Sequence, residues 1–595
     1  MATHRDGLTR ATPESVGVSS ASIAQFLDDL SENNIEVHTF MLYHAGSVIA
    51  EGSWWPYRAD RPHMMHSATK SFLAVAVGLA IEEGYFSVNT KVVDIFPEEA
   101  KAASDGQAIS ENLTALTVED LLTQTSGHAH GVSGGEWRGI KTSWVTEFFR
   151  LPLVHKPGTK FVYTSATSFM LSAIISQTTG STVREFLEPR FCRPLGIKLL
   201  AWDVGPDGIC PGGNGISCLP SDFLKLGILH LQKGKWEGKQ ILPESWAVAC
   251  TTAQRGNLYG YHWWTDTEKQ GYYASGMFGQ LCFVFPQHDA VLAITAAGMG
   301  DAEPLQRAVW RHFPKAFGTS SKPLDVTENI ASIESLTSGL DHVRLPTMTI
   351  TAADEQPTSD FLAQISKERF TCVTPNDDGV FSFALDISNN EQSLAFHMQD
   401  ARGHHTLNVG LVGTHVEGIT TLSGAKLHHG YEPASLRVVA TAAWVKSDTL
   451  QMVLQFTETA FRDTLSVRFF AIDEHIFAQL DRSVNVNSFA TQRPPLFGVV
   501  LTTGKELGSP ELATIISSAQ RSKKLSTSGC TVGELLDHPA ARAILEKAMP
   551  KTLEQDGARI EKARKYSLDM IIHHAGLTEE DLVRIDDQLA QIPAE

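Results

Sequence analysis

Cysteine is scarce in this sequence, and its spacing fits neither a disulfide framework nor a zinc site. The seven cysteines are scattered along the chain, odd in number, and without a close CxxC pair. Disulfide-rich secreted domains and structural zinc sites both depend on paired cysteine spacings. The pattern therefore favours reduced thiols and a cytoplasmic protein without a metal site.

Long hydrophobic runs are also missing. The longest apolar run, from Phe72 to Ile81, is about half of what a membrane-spanning helix needs. The opening residues MATHRDGLTR carry charges, but no apolar core and no small-residue cleavage site follows them. Neither a secretory signal nor a membrane segment is therefore expected.

Positive charge is the third shortage. Forty-nine Lys and Arg residues stand against 67 Asp and Glu residues, for a formal net charge of -18. A surface that follows nucleic-acid phosphates needs an excess of cations, so nucleic acid is not expected as a partner. The 42% hydrophobic and 19% charged residues are typical of a globular protein, and 595 residues predict two or three domains.

Residues 1–320 are predicted to form an α+β domain. Strand-like stretches lie near both ends, at 40–50 and 281–297, and helical spacing fills much of the chain between them, as at 70–83 and 165–179. Strands near both ends with helices between them indicate that the two ends share one antiparallel sheet.

The remainder of the chain changes pattern three times. A polar, proline-containing stretch at 321–362 is predicted to be a linker. Period-two alternation over 363–510 predicts a closed or nearly closed antiparallel β-barrel. Residues 525–595 are predicted to form a small helical C-terminal domain.

The candidate catalytic motif is Ser67-Ala68-Thr69-Lys70, which runs directly into an apolar helical pattern. Residues three apart share one helix face, so Lys70 would lie beside the Ser67 hydroxyl and could relay its proton. A bare SxxK more often marks a helix start with a solvated lysine. A second copy, Ser423 to Lys426 in the β-rich region, is interpreted as a chance match.

The SxxK motif is one of several characteristic sequence blocks that occur in a fixed order along the first part of the chain. They are PESVGVSS at 13–20, SATKSF at 67–72, GLAIEEGYFSVNTKVVDIFPE at 78–98, LTVEDLLTQTSGH at 116–128, PGTKFVYTSATSFMLSAIISQTTG at 157–180, RPLGI at 193–197, GGNGISCLPSDFLKLG at 212–227 and YGYHWW at 259–264. In this order the blocks resemble the serine β-lactamase and penicillin-binding-protein superfamily, particularly class C β-lactamases and the related esterases and nylon-oligomer hydrolases. The resemblance implies a β-lactamase/DD-peptidase-like fold, an antiparallel sheet with helices.

The resemblance also assigns roles to Tyr163-Thr164-Ser165, the superfamily's Tyr-x-Asn or Tyr-x-Ser element. Tyr163 would act as general base, with its phenolate favoured by the Lys70 charge, and as proton donor to the leaving group. Ser165 would help to hold the network. The alternative interpretation of Tyr163 is a partly buried tyrosine at a helix start.

The stretch equivalent to the superfamily's Lys-Thr-Gly element runs from Gly271 to Gln280, and it lacks the lysine. Such a strand can still provide a backbone N–H to an oxyanion hole, together with the N–H of Ser67. Ala274 and Ser275 are the candidate donors, and the sequence does not fix which. The loss of the cation argues against binding of a β-lactam carboxylate.

Other candidates carry less information. Tyr272 and Tyr273 would offer apolar surface to an uncharged acyl chain, and Gln124 and Trp264 are candidate pocket residues. The GxSxG match at 131–135 lies in a polar, glycine-rich stretch and is interpreted as a loop.

The resulting expectation is a serine hydrolase that cleaves small amides or esters and needs no metal or organic cofactor. A binding or regulatory module on the same fold, a D-aminopeptidase and a true β-lactamase are the alternatives. The barrel resembles lipocalin-like domains appended to this superfamily. An apolar ligand site, a cover for the active site and contacts in a homo-oligomer all stay open as its role.

Overall fold

A computed structural model describes most of the chain. The described residues are 6–132, 137, 139–198, 201–298, 302–317, 324, 336, 340, 344–373, 376, 379–387, 392–411, 413–422, 433–472, 475–486, 491–500, 525–527, 530–550, 560–561, 563–564 and 566–592. The chain divides into two compact units. The first comprises Met1–Arg344 with Glu458–Ala460, and the second comprises Leu345–Thr457 with Phe461–Glu595.

A six-stranded antiparallel sheet organises the first unit, in the order β2-β1-β11-β10-β9-β8. The strands of this unit are β1 (Val37–His44), β2 (Ser47–Ser53), β3 (His63–Met64), β4 (Ala201–Trp202), β5 (Ile216–Cys218), β6 (Lys235–Trp236), β7 (Lys239–Gln240), β8 (Trp264–Asp266), β9 (Gly271–Gly276), β10 (Gln280–Phe285) and β11 (Ala290–Ala296). Because β1 pairs with β11, strands from near the two ends of the unit share one sheet, as the sequence predicts.

Helices cover both faces of this sheet. They are α1 (Ser20–Glu32), α2 (Thr69–Glu82), α3 (Val92–Ile95), α4 (Pro97–Ala103), α5 (Glu111–Ala115), α6 (Val118–Leu122), α7 (Trp144–Arg150), α8 (Ser165–Thr179), α9 (Val183–Leu187), α10 (Pro220–Leu231), α11 (Glu244–Cys250) and α12 (Glu303–Ala316). Side chains of α1 and α12 share one hydrophobic core with the strands, and those of α2, α8 and α10 share a second.

Local sequence explains where the central helices begin and end. All residues of α2 from Thr69 to Ala80 are buried, which is typical of a helix that is apolar on every side. At the start of α8 the Thr164 side chain accepts a hydrogen bond from the Ala166 N–H. The same helix ends at Gly180, whose φ of 71° is the left-handed conformation that favours glycine.

The second unit contains the barrel. Its strands are β12 (Arg369–Cys372), β13 (Val380–Ile387), β14 (Ser393–Asp400), β15 (Gly403–Leu411), β16 (Val416–Thr420), β17 (Leu436–Lys446), β18 (Thr449–Phe456), β19 (Arg462–Ile472), β20 (His475–Val484) and β21 (Leu496–Val500). Among the described strands, nine form a ring, which closes where Gly410 pairs with Thr441 and Leu411 with Ala442. Strand β16 pairs with β17 beside this ring. The expected closed barrel is therefore confirmed.

Aromatic side chains fill part of the barrel. Helix α13 (Ser359–Ile365) brings Phe361 to within 6.3 Å of Trp444 and 6.0 Å of Phe469, measured between ring centroids. Along β14 alternate residues are buried, which is the period of two that predicts a strand with one face inward. Phe361, Trp444 and Phe469 therefore form an aromatic cluster in the barrel unit.

Short helices follow the barrel, as predicted for the C-terminal region. They are α14 (Val532–Asp537), α15 (Pro539–Ala548), α16 (Ile572–Ala575) and α17 (Glu579–Leu589). The side chains of Thr531 and Thr578 form capping boxes at the starts of α14 and α17. No helix in the described part of the chain is long and apolar enough to cross a membrane. All seven cysteines carry free thiols.

Candidate active site

Ser67 lies in a tight turn between a short strand and a buried helix. Strand β3 leads into a 3-10 turn, His66–Ala68, and α2 begins at the next residue. His66 has a φ of 47°, which is unusual for a residue with a side chain. Ser67 itself is partly exposed, whereas His66 and Ala68 are buried. The turn therefore leaves the Ser67 side chain accessible.

Lys70 lies one helical turn further on, and it is only 1% exposed. Its Nζ donates to Ser67 Oγ at 3.3 Å, to Ser165 Oγ at 3.3 Å and to the carbonyl oxygen of Gly213 at 2.9 Å. An ammonium has three N–H donors, and each of them has one of these oxygens as acceptor. A buried charge costs several kcal/mol unless polar groups surround it, and these oxygens supply that compensation.

The approach of the Gly213 carbonyl depends on small residues. A Cβ atom at Gly213 would lie 3.0 Å from Ser165 Cβ and 3.3 Å from Lys70 Nζ. Gly212 has a φ of 70°, and a Cβ there would lie 2.3 Å from the backbone oxygen of Ser168. Gly212 and Gly213 therefore allow the backbone to approach the lysine closely.

Tyr163 places its ring beside the same ammonium. The distance from Lys70 Nζ to the centre of the Tyr163 ring is 4.7 Å, within the range of a cation–π contact. The Tyr163 ring also stacks on Trp264, with 5.6 Å between centroids and an interplanar angle of 25°. The structure thus brings together Ser67, Lys70, Tyr163 and Ser165, the residues that the sequence selects from two distant motifs.

Gln124 braces the backbone on both sides of Tyr163. Its side-chain Oε1 accepts from the Thr164 N–H at 2.8 Å and from the Thr167 hydroxyl at 3.1 Å. Its own carbonyl accepts from the Val162 N–H at 2.8 Å. The side chain is 0% exposed, and the residue has a left-handed φ of 59°. Gln124 therefore holds the segment from Val162 to Thr164, which we call the tyrosine loop, from its buried side.

The end of strand β9 runs alongside the turn His66–Ala68 that contains Ser67. A Cβ at Gly276 would lie 2.1 Å from the backbone oxygen of Met65 and 3.2 Å from the Ala68 N atom, so the two backbones are in close contact. Strand β8 pairs with β9 up to Tyr273, and Ala274 and Ser275 follow beyond that pairing. Both candidate oxyanion donors therefore lie between the β8 pairing and this contact, and the choice between them stays open.

The two tyrosines of β9 do not form a substrate surface. Tyr272 is 7% exposed and packs edge-on against Trp263, with 5.5 Å between ring centroids. Tyr273 points to the opposite side of the sheet and stacks on Phe283 at 5.0 Å. The apolar surface expected from these residues is instead part of the two cores, because helices cover both faces of the sheet.

Phe161 also lies at the site, although the sequence motifs did not identify it as a candidate residue. Its ring lies 5.5 Å from that of Tyr259 and 6.1 Å from that of Trp264. Side chains two residues apart in an extended segment point to the same side, so the spacing from Phe161 to Tyr163 is a signal that could have identified it.

A histidine lies behind the lysine. His262 is buried, its Nε2 lies 3.2 Å from Ser168 Oγ, and its carbonyl accepts from the Ser71 hydroxyl at 2.8 Å. Burial first, and the nearby Lys70 charge second, lower the pKa of His262 to about 3. The imidazole is therefore neutral at neutral pH and adds no second cation next to Lys70.

Several weaker sequence candidates add nothing to this geometry. Ser133 of the GxSxG match and the second SxxK copy, from Ser423 to Lys426, lie outside the described residues. Within the described part of the chain, no group of three or more His, Cys, Asp or Glu side chains is arranged to hold a metal ion.

Comparison with known proteins adds a family match. Residues 23–314 match the family model described as Beta-lactamase. The 6-aminohexanoate-dimer hydrolase of Paenarthrobacter ureafaciens is 25% identical over 308 residues, which cover 47% of this chain and 78% of that protein. The lovastatin esterase of Penicillium rubens is 29% identical over 167 residues, or 25% of this chain and 42% of the esterase.

A solved structure of a penicillin-binding-protein homologue from Caulobacter crescentus also aligns with this chain. It has a TM-score of 0.42 and 15% sequence identity, and the alignment covers 49% of this chain and 96% of that one. The family match ends at residue 314, so the second unit lies outside it.

The Gln124 brace generates a stability prediction. Gln124→Met keeps the length of the side chain but removes the acceptor for the buried Thr164 N–H. An unsatisfied buried donor costs about 1–3 kcal/mol, so the urea midpoint of the first unit should fall accordingly. The exposed Gln107 supplies the control. Gln107→Met should change the free energy of unfolding by less than about 0.5 kcal/mol. Equal midpoints for the two variants would contradict the bracing role.

Proposed function

Residues 23–314 form a domain of the beta-lactamase family, and from this premise we propose that the chain is a serine hydrolase that cleaves amide or ester bonds of small substrates through an acyl-Ser67 intermediate. One observation carries the proposal: the buried Lys70 ammonium contacts Ser67 Oγ at 3.3 Å and lies 4.7 Å from the Tyr163 ring. Relatives named as an amide hydrolase and an esterase support the same reaction class.

Acylation begins with removal of the Ser67 proton. In the observed arrangement the Lys70 ammonium directs its three N–H groups to oxygens, and a protonated amine has no lone pair with which to act as the base. The Tyr163 phenolate takes the proton instead, and the adjacent ammonium stabilises that anion. Ser67 Oγ then attacks the substrate carbonyl carbon, and the carbonyl oxygen becomes an oxyanion.

Backbone N–H groups stabilise the oxyanion. The N–H of Ser67 and that of Ala274 or Ser275 are the proposed donors, since β9 runs against the nucleophile turn. When the tetrahedral intermediate collapses, the Tyr163 hydroxyl returns its proton to the leaving nitrogen or oxygen. This leaves the acyl group on Ser67 and Tyr163 again as a phenolate.

Deacylation repeats the sequence with water. Tyr163 takes a proton from the water molecule, the resulting hydroxide attacks the acyl carbon, and the proton passes to Ser67 Oγ as the ester bond breaks. The products are a free acid and the original enzyme. No step in this scheme uses a metal or an organic cofactor.

The site favours an uncharged substrate over a β-lactam. The stretch from Gly271 to Gln280 carries no lysine, so a β-lactam carboxylate would lack that cationic partner. A retained fold that only binds ligands is the competing hypothesis. Against it stands the intact set of Ser67, Lys70 and Tyr163, because a site that had lost its activity would be expected to have lost at least one of them.

The first prediction concerns the nucleophile. Ser67→Ala should lower turnover of p-nitrophenyl acetate by at least about 10³-fold, because it removes the attacking oxygen. A fluorophosphonate should label the wild-type protein on Ser67, as located by peptide mass spectrometry. Ser423→Ala, in the second SxxK copy, is the matched control and should keep the wild-type rate. Near-normal activity of purified Ser67→Ala would overturn the assignment.

The second prediction concerns the proton-transfer pair. Lys70→Ala and Tyr163→Phe should each reduce kcat nearly as much as the double variant, because both act in one step. The measurement is a double-mutant cycle on kcat with one ester substrate. Losses that multiply cleanly would show that the two side chains act independently.

The third prediction concerns the substrate class. Each charge-assisted hydrogen bond missing for a β-lactam is worth roughly 1.5–3 kcal/mol, so one or two of them reduce its productive binding by about ten- to several-thousand-fold. The kcat/KM values for p-nitrophenyl acetate or a linear 6-aminohexanoate dimer should therefore far exceed that for nitrocefin. A nitrocefin value equal to the better of the other two would contradict this selectivity while leaving the Ser67 mechanism intact.

A further inference from the structure

Four aromatic side chains form a continuous cluster that includes Tyr163. The Tyr163 ring stacks on Trp264 at 5.6 Å, and Trp264 meets Tyr259 edge-on at 4.8 Å. Phe161 contacts both Tyr259 and Trp264, at 5.5 and 6.1 Å between centroids. We call Phe161, Tyr163, Tyr259 and Trp264 the aromatic wall.

The wall has a buried back and an accessible front. Tyr259 is 2% exposed and supports the other rings from behind. Phe161, Tyr163 and Trp264 are each partly exposed, and the neighbouring Leu258 is 60% exposed. Rings that only fill a core would be covered on all sides, so the front offers apolar surface for a ligand.

The chemistry of Tyr163 indicates which half of a substrate meets this surface. In the proposed function Tyr163 protonates the leaving atom, which must then lie within about 3 Å of the tyrosine hydroxyl. The leaving group of the substrate, which is attached to that atom, is therefore expected to contact the side chains next to Tyr163. Trp264 stacks directly on the Tyr163 ring, and Phe161 contacts Trp264.

We propose that Trp264 and Phe161 bind the leaving group, and that the chain prefers substrates whose leaving alcohol or amine carries an uncharged ring. This specificity rests on the proposed function, because it takes the position of the leaving atom from the role of Tyr163. It differs from that function in naming the half of the substrate that is selected and the residues that select it.

Of the two cations close in sequence to the wall, the arginine is already paired with carboxylates. Arg255, close in sequence to Tyr259, is held by Glu119 at 2.7 Å and by Asp120 at 2.8 Å. Lys160, which precedes Phe161, has its Nζ 3.3 Å from His155 Nε2 on the surface. The arginine is already neutralised by two carboxylates, so an anionic leaving group would have to compete with them.

The test uses acetate esters that share one acyl group. Ethyl acetate and benzyl acetate have leaving alcohols of similar basicity but differ in the ring, and 4-carboxybenzyl acetate adds a negative charge to that ring. For the wild-type protein kcat/KM should be highest for benzyl acetate. One ring contact is worth about two- to tenfold, so Trp264→Ala and Phe161→Leu should each lower the benzyl-to-ethyl ratio of kcat/KM by that factor.

The ratio separates binding of the leaving group from a general loss of catalysis. A variant that merely displaces Tyr163 would slow both esters equally and leave the ratio unchanged. Trp236→Ala, at another partly exposed tryptophan in the β6–β7 hairpin, is the matched control and should leave the ratio unchanged. Circular dichroism checks that each variant is folded. If Trp264→Ala does not fold, Phe161→Leu, the milder change, carries the test.

An unchanged ratio in both wall variants, or a wild-type preference for the carboxylated ester, would overturn the proposal. Failure of the proposed function has a different signature. In that case a fluorophosphonate would leave Ser67 of the wild type unlabelled, as located by peptide mass spectrometry, whatever the ratio of the two esters.

Discussion

The burial of the Lys70 ammonium is the constraint on which the geometry of the site depends. A cation that is 1% exposed is stable only where oxygens replace its water shell. Those oxygens come from three parts of the chain, since Ser67 lies one turn earlier, Ser165 begins α8, and Gly213 belongs to a separate loop. Satisfying one charge therefore fixes Ser67, the start of α8 and the loop that contains Gly213 relative to one another.

The position of Tyr163 follows from the same arrangement. Ser165 is bound to Lys70, and Gln124 holds the backbone of Val162 and Thr164, so the tyrosine lies on a segment fixed on both sides. A proton-transfer group must be held within a few tenths of an ångström to be effective. For the proposed role of Tyr163, hydrogen bonds to the neighbouring backbone would supply that precision.

The sequence predicts the parts of this architecture that are written in local patterns. The SxxK spacing at the start of a helix places Lys70 beside Ser67, and period-two alternation identifies the strands that close into the barrel. It does not predict that the Gly213 carbonyl reaches Lys70 or that Gln124 lies behind the tyrosine loop. Those contacts join residues 40 to 143 positions apart, so they appear only once the helices pack. Tyr272 and Tyr273 illustrate the same limit, because alternation along β9 does not show that helices cover both faces of its sheet.

The packing of β9 also restricts which side chains fit at the start of that strand. A Cβ at Gly271 would lie 2.7 Å from the Trp310 ring, so any side chain there would displace the tryptophan. Since β9 carries no cation, the proposed means of substrate selection is apolar contact with the aromatic wall. An apolar surface distinguishes related groups by only about 1–3 kcal/mol, whereas a dedicated hydrogen-bonding site rejects a mismatched group by several orders of magnitude. A site of the proposed kind is therefore expected to accept a range of uncharged esters and amides and not one tightly defined substrate.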